Sequence, residues 1–121
     1  MAGANDDHTI SIERNRNRVR VLWRGRVVAD TTHALNLMEA SYPVVHYIPR
    51  EDVAMANLVR SPHQTRCPYK GVAAYYSLTA DGRTEENAVW TYEAPLPAVA
   101  AIAGYLAFYP TCVDRIEETQ V

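Results

Sequence analysis

The densest grouping of chemically capable side chains is the string Cys67-Pro68-Tyr69-Lys70-Gly71, in which a thiol and a primary amine stand three residues apart. On a plain strand that spacing sends the two side chains to opposite faces, where they cannot cooperate. Pro68 favours a different geometry. It suits the second position of a β-turn, with Tyr69 third, and such a turn brings the Cα atoms of Cys67 and Lys70 within about 7 Å. An ammonium at that range lowers the pKa of a thiol and raises its nucleophilic fraction, which makes Cys67 and Lys70 candidate catalytic residues. The alternatives are a packed, inert Cys67, since free cysteine is among the most buried residue types, and a Lys70 that merely occupies a surface hairpin. Lys70 is the only lysine among twelve basic residues, the rest being arginine. Arginine serves for solvation and surface pairing, so a lone amine marks either a need for a compact, titratable donor or a chance survivor of arginine bias.

Aromatic residues flank this string. Tyr69, Tyr75, Tyr76, Trp90 and Tyr92 fall on two neighbouring strand-like segments, where they form either a ring-lined pocket or ordinary core. Eight tyrosines against one phenylalanine favour a polar cavity, because each buried hydroxyl needs a partner. Glu93 follows Trp90 and is a candidate general acid or base, or the counter-charge of Lys70; the plainer reading is an exposed carboxylate at a strand end. His46, between Val45 and Tyr47, reads as a satisfied core histidine. Asp30, Asp52 and Asp114 border structured segments and read as caps or turn formers. No metal site is expected: the two cysteines are not a close pair, His63 and Cys67 are the only suggestive neighbours, and neither HExxH nor an aspartate-rich calcium loop occurs. No cofactor is expected either, because GxGxxG, GxxxxGK[ST] and GxSxG are all missing.

The elements that must hold these residues are mostly strands. Residues 1–9 read as a frayed tail ahead of a single β-rich domain over 10–121. From Ile10 to Asp30 a period-two pattern sets Arg14, Arg16, Arg18 and Arg20 on one face and Val19, Val21 and Trp23 on the other, a hairpin turning at Gly25 with one solvated face. Asp30, Thr31 and Thr32 offer capping oxygens for a short helical turn over His33–Met38. Val44–Ile48 reads as a strand, Pro49 as the start of a helix through about Arg60, and His63–Thr65 as a polar loop. Strands past Gly71 and over Asn87–Glu93 turn at Asp81-Gly82. Pro97–Ala103 is helix-prone, and Tyr105–Tyr109 is a last strand.

These segments predict a mainly β fold: a compact antiparallel, barrel-like or tent-like sheet domain with two or three short helices. Net charge is −2, which argues against a nucleic-acid footprint. The uncharged run Ala94–Val113 is broken by Pro95, Pro97 and Pro110 and dominated by alanine, so no membrane partner is expected. Two cysteines and no apolar leader point to the cytoplasm and reduced thiols, although a disulfide between Cys67 and Cys112 stays open.

The strings RVRVLWRGRVVADT, VVHYIPREDV, CPYKGVAAYYS, NAVWTYEAP and IAGYLAFYP, followed by Asp114, occur in the order found in the bacterial family catalogued as domain of unknown function 427 and labelled as nucleotidyltransferase-type. The chain resembles that family over about residues 10–116. The resemblance implies a small β-rich fold, similar to the tent-like sheets of some zinc-binding and sulfoxide-reducing domains but without their cysteine pairs. By residue match, the characteristic positions fall on Asp30, Tyr47, Pro49, Asp52, Cys67, Lys70, Gly71, Tyr75, Trp90, Tyr92, Glu93 and Asp114. Tyr47 thereby joins the ring-lined candidates. The first expectation is a small-molecule site walled by Tyr47, Tyr69, Tyr75, Trp90 and Tyr92, with Cys67, Lys70 and Glu93 as its reactive groups. The second is a non-catalytic interaction module, with a homodimer among its forms. The third, from the family label, is nucleotide transfer with Asp30, Asp52 or Asp114 on magnesium.

Overall fold

The computed structural model describes residues 8–121; the expected N-terminal tail lies, up to residue 7, outside them. The described chain runs β1 (Ile10–Arg14), β2 (Arg18–Trp23), β3 (Arg26–Thr31), β4 (Leu35–Glu39), β5 (Val45–Tyr47), β6 (Leu58–Cys67), β7 (Gly71–Ala80), β8 (Arg83–Thr91), β9 (Leu106–Phe108) and β10 (Arg115–Thr119). These strands form three antiparallel sheets, in the orders β1-β4-β5, β10-β2-β3 and β6-β7-β8-β9. The fold is mainly β, as expected. It is not a closed barrel: every sheet begins and ends on a different strand.

The four-stranded sheet is the centre of the molecule, and both its faces are covered. One face packs its Tyr76, Leu78, Val89, Leu106 and Phe108 against Val19, Val21, Trp23 and Val28 of β2 and β3. The other carries Ala73, Tyr75, Trp90 and Ala107, which meet Leu35, Leu37, Val45 and Tyr47 of β4 and β5. The three residues of β9 show the principle: Leu106 and Phe108 enter the first core and Ala107 the second, because successive side chains on a strand point to opposite faces. Burial of this kind supplies most of the stability, roughly 2 kcal/mol for each fully enclosed side chain such as Leu78 or Ile102. An antiparallel bridge between Ile48 and Leu106 ties the sheet of β5 to the central sheet beside the second core.

The two or three short helices do not form. What stands in their place is a set of short 3-10 turns at Arg50–Asp52, Met55–Asn57, Pro97–Ile102 and Pro110–Cys112. Pairing with neighbouring strands outweighs local helix preference. After Arg50–Asp52 the chain extends at Val53, which bridges Ala29, and Ala54 N–H donates to Val28 O at 2.8 Å. From Leu58 on, the chain is β6, and the expected polar loop at His63–Thr65 lies inside that strand, with His63 in the irregularity between Ser61 and Gln64. The predicted turn over His33–Met38 gives way to β4, which is paired on both sides, by β1 and β5. Over Pro97–Ile102 a kink at Val99 breaks the run, and Val99 and Ile102, three apart, both enter the second core.

The hairpin of β2 and β3 forms with Arg18 and Arg20 on one face, but the expected run from Ile10 is broken. Arg16 lies between strands, and β1, with Arg14, pairs with β4 in another sheet, where β4 offers it an antiparallel partner. Arg18 pairs with Asp30 at 2.6 Å and Arg20 with Glu117 of β10, so this face is a ladder of surface ion pairs. The Asp81-Gly82 turn also forms, with both residues at positive φ, as a two-residue hairpin requires. No helix among the described residues is long and apolar enough to cross a membrane.

Candidate functional site

The hairpin between β6 and β7 is built around the string that stood out in the sequence. Cys67 and Gly71 are cross-strand partners, so Pro68, Tyr69 and Lys70 form its loop. Gly71 closes the loop at φ +114°, a conformation that side chains rarely adopt. Lys70 O accepts from Leu96 N–H at 2.9 Å, which fixes the loop against the segment after β8.

This anchoring turns Lys70 inward, leaving it 8% exposed. Its ammonium donates to Glu39 Oε1 at 2.6 Å, and the other carboxylate oxygen of Glu39 is held by His8 Nε2. Burial alone would push the Glu39 carboxyl up, but the hydrogen bonds from Lys70 and His8 outweigh it and hold the group below its ordinary value. The His8 ring stacks on Tyr69 with centroids 3.5 Å apart.

Beneath this trio is a cleft of about 610 Å³, and Cys67 and Lys70 both line it. The turn therefore brings thiol and amine to one site. All five aromatic candidates, Tyr47, Tyr69, Tyr75, Trp90 and Tyr92, line it as well. Tyr75 and Trp90 are side by side because they are register partners on β7 and β8. Trp90 Nε1 donates to the Tyr47 hydroxyl at 3.2 Å, and the two rings meet at 90°. Tyr75 links the hydroxyls of Thr65 and Tyr109, at 2.9 and 3.2 Å. Burial pushes the Tyr47 hydroxyl up to about 12, and raises those of Tyr92 and Tyr109 as well. These phenols stay protonated at neutral pH, so each keeps a proton to donate.

Glu93 does not join this site. Both its oxygens are taken by Arg60, at 2.8 and 3.1 Å, and that hydrogen bonding lowers its pKa. The counter-charge of Lys70 is Glu39, a residue that sequence reasoning missed, together with His8 and Tyr109. The signal for Glu39 lay in LNLME, whose alternation puts Leu37 and Glu39 on one face of a strand; the capping residues before it suggested a helical turn instead. Cys67 and Cys112 are both free thiols.

The remaining candidates do not line the cleft. His46 sits between Asn36, at 2.7 Å from Nδ1, and Glu118, at 3.6 Å from Nε2. Asp30 pairs with Arg18, Asp52 accepts from Thr31 Oγ1 at 2.7 Å, and Asp114 accepts from Gly25 N–H at 2.9 Å. The three aspartates stand on separate elements and share no partner, and no group of three metal-ligating side chains occurs among the described residues.

A second hollow, of about 580 Å³, lies beside β6 and β8 with Arg60, His63, Ser77 and Glu86 in its lining, and it holds none of the aromatic candidates. Comparison with known proteins gives a match over residues 11–119 to the family model described as domain of unknown function (DUF427) and labelled NTP_transf_9. No curated protein matches the chain.

Proposed function

The chain belongs to the DUF427 family over nearly its whole length, and from that premise we propose that its shared site is the cleft at the β6–β7 hairpin and that this cleft binds a small organic molecule. The observation that carries the reading is the Lys70–Glu39 pair, nearly enclosed at the edge of a hollow walled by Tyr47, Tyr75, Trp90 and Tyr92. Apolar walls with a few convergent polar groups are the usual composition of a small-molecule site. Ring faces give a flat ligand contact area at little entropic cost, and the Lys70 ammonium supplies direction. The pair itself offers the fold little net gain, since desolvating two charges offsets most of their attraction. Its position is accounted for by a ligand. Cys67 places a nucleophilic atom in the same hollow, so covalent chemistry on a bound molecule is compatible with the site.

Thermal-shift screening of the full chain against metabolites and nucleotides, wild type beside Lys70→Arg, tests the proposal. A ligand that raises Tm in the wild type and loses much of that effect in the variant supports it. A ligand shift untouched by the substitution removes Lys70 from the site, and the absence of any ligand shift removes the site. ATP with magnesium belongs in the panel, because the family label carries a nucleotide-transfer reading; a response confined to ATP with magnesium would favour that reading instead.

One observation favours a second reading, an interaction module. Tyr42 is 65% exposed and Tyr69 46% exposed, both on the rim of the cleft, so a partner chain or a second copy would find rings to pack on. Analytical ultracentrifugation of the wild type and Tyr42→Ser decides this; a strict monomer with no copurifying partner ends it.

A further inference from the structure

Several donors of the cleft have no acceptor among the described residues. Lys70 carries three N–H bonds, and the contact with Glu39 Oε1 uses one. The oxygens of Glu39 are both engaged, by Lys70 and by His8. The Tyr47 hydroxyl accepts from the Trp90 indole, which can only donate, so its own proton has no acceptor among the described residues. The Tyr92 hydroxyl has no hydrogen-bond partner at all among the described residues, although Tyr92 lines the cleft and is only 5% exposed. A hydroxyl of a cleft-lining residue that bonds to no described protein group is free to donate to a bound molecule.

Charge narrows the ligand further. Lys70 and Glu39 cancel at 2.6 Å. An anionic head group would add a second negative charge beside Glu39, among ring faces that are themselves electron-rich. A cationic head group such as an amidinium only donates, so it would leave the Lys70 N–H bonds and the Tyr47 and Tyr92 protons without an acceptor. What fits is an acceptor without charge.

We propose, resting on the reading of this cleft as a small-molecule site, that its ligand is a flat, uncharged ring bearing a carbonyl acceptor, an aromatic amide or lactam. The ring lies against Trp90 and Tyr75, and the carbonyl oxygen accepts from the Tyr92 hydroxyl and a free N–H of Lys70. Binding is non-covalent in this arrangement, and no proton changes owner.

Three shape-matched probes separate the possibilities: benzamide, benzoate and benzamidine share one ring and one planar head group and differ in charge and hydrogen-bonding character. Each is titrated at millimolar concentration into the full-length ¹⁵N-labelled protein while the Trp90 indole signal is followed. Benzamide is expected to bind most tightly, and Tyr92→Phe, which removes one oxygen and leaves the ring, to weaken it about fivefold or more, the order of one hydrogen bond. Tighter binding of benzoate or benzamidine overturns the assignment, as does benzamide binding that Tyr92→Phe leaves unchanged. A response to none of the three, alongside a hit in the metabolite screen, overturns the ligand class and leaves the cleft standing; silence in both overturns both.

Discussion

The Lys70 ammonium and the Glu39 carboxylate meet at 2.6 Å although 31 residues separate them in the chain, one carried by the loop of the central sheet and the other by the last residue of β4. The contact joins two sheets at the edge of the cleft, so its chemistry should register in the stability of the whole domain.

Glu39→Gln leaves an almost fully enclosed ammonium without its counter-charge, and is expected to cost about 2 kcal/mol in urea unfolding. The sign of the pH dependence follows from the Glu39 carboxyl lying below its ordinary value of 4.5. The stabilisation is fully present above that pH and lost as the pH falls through the folded-state value. The difference in urea midpoint between wild type and Glu39→Gln should therefore close on acidification. A gap unchanged from neutral pH down to about pH 3 refutes the pairing.

Gly71→Ala is expected to destabilise by about 2 kcal/mol, because its φ of +114° is open essentially to glycine alone. Crowding contributes little: the added Cβ would meet Leu96 N and Ala94 O at 3.5 and 3.6 Å, ordinary contact distances. Because the same residue closes the loop that carries Lys70, ligand affinity should fall with stability in this variant. Full stability together with full affinity would show that the loop geometry is not needed.

His46 gives a second pH window. Burial lowers its pKa from 6.5, partly opposed by the Glu118 carboxylate, so the unfolded chain takes up a proton more readily than the folded one. Stability from this group is present above about pH 6.5 and declines as the pH falls towards the folded-state value. His46→Gln should flatten that part of the stability profile, and a titration of the His46 ring by NMR should give a midpoint below 6.5; a midpoint above it contradicts the enclosure of the ring.

Thiol labelling distinguishes the two cysteines. Cys67 lines the cleft, whereas Cys112 packs against the other core. A ligand found by screening should slow alkylation of Cys67 and leave Cys112 unaffected, as read by mass spectrometry of the modified peptides. Equal protection of both would signal global stabilisation instead of occupancy of the site.

Local signals carried the parts of the structure that local chemistry decides. Pro68 announces a turn, Asp81-Gly82 a hairpin, and the alternation of arginine and valine a two-faced strand; all three formed, the first as a loop one residue longer than the expected β-turn. Glu39 and β4 were harder, since LNLME becomes a strand only when β1 and β5 flank it, and the capping oxygens of Asp30, Thr31 and Thr32 point locally to a helix. β6 gave no apolar pattern because nearly all its side chains face solvent, so only its partner β7 makes it a strand. Glu93 shows the limit of adjacency in sequence: the nearest distinctive cation was Lys70, yet the chain brings Arg60 to it with two parallel bonds.

The walls of the cleft belong to two different sheets, Leu37 and Tyr47 on one side and Tyr75 and Trp90 on the other, tied together at the Ile48–Leu106 bridge. Its aperture is therefore set by how thickly the second core is filled, in the way a shim sets the gap of a vice. Val99 and Ile102, which bear no polar group and do not line the cleft, are part of that filling. A methylene added or removed there retunes the calibre of the opening while every residue in it stays the same.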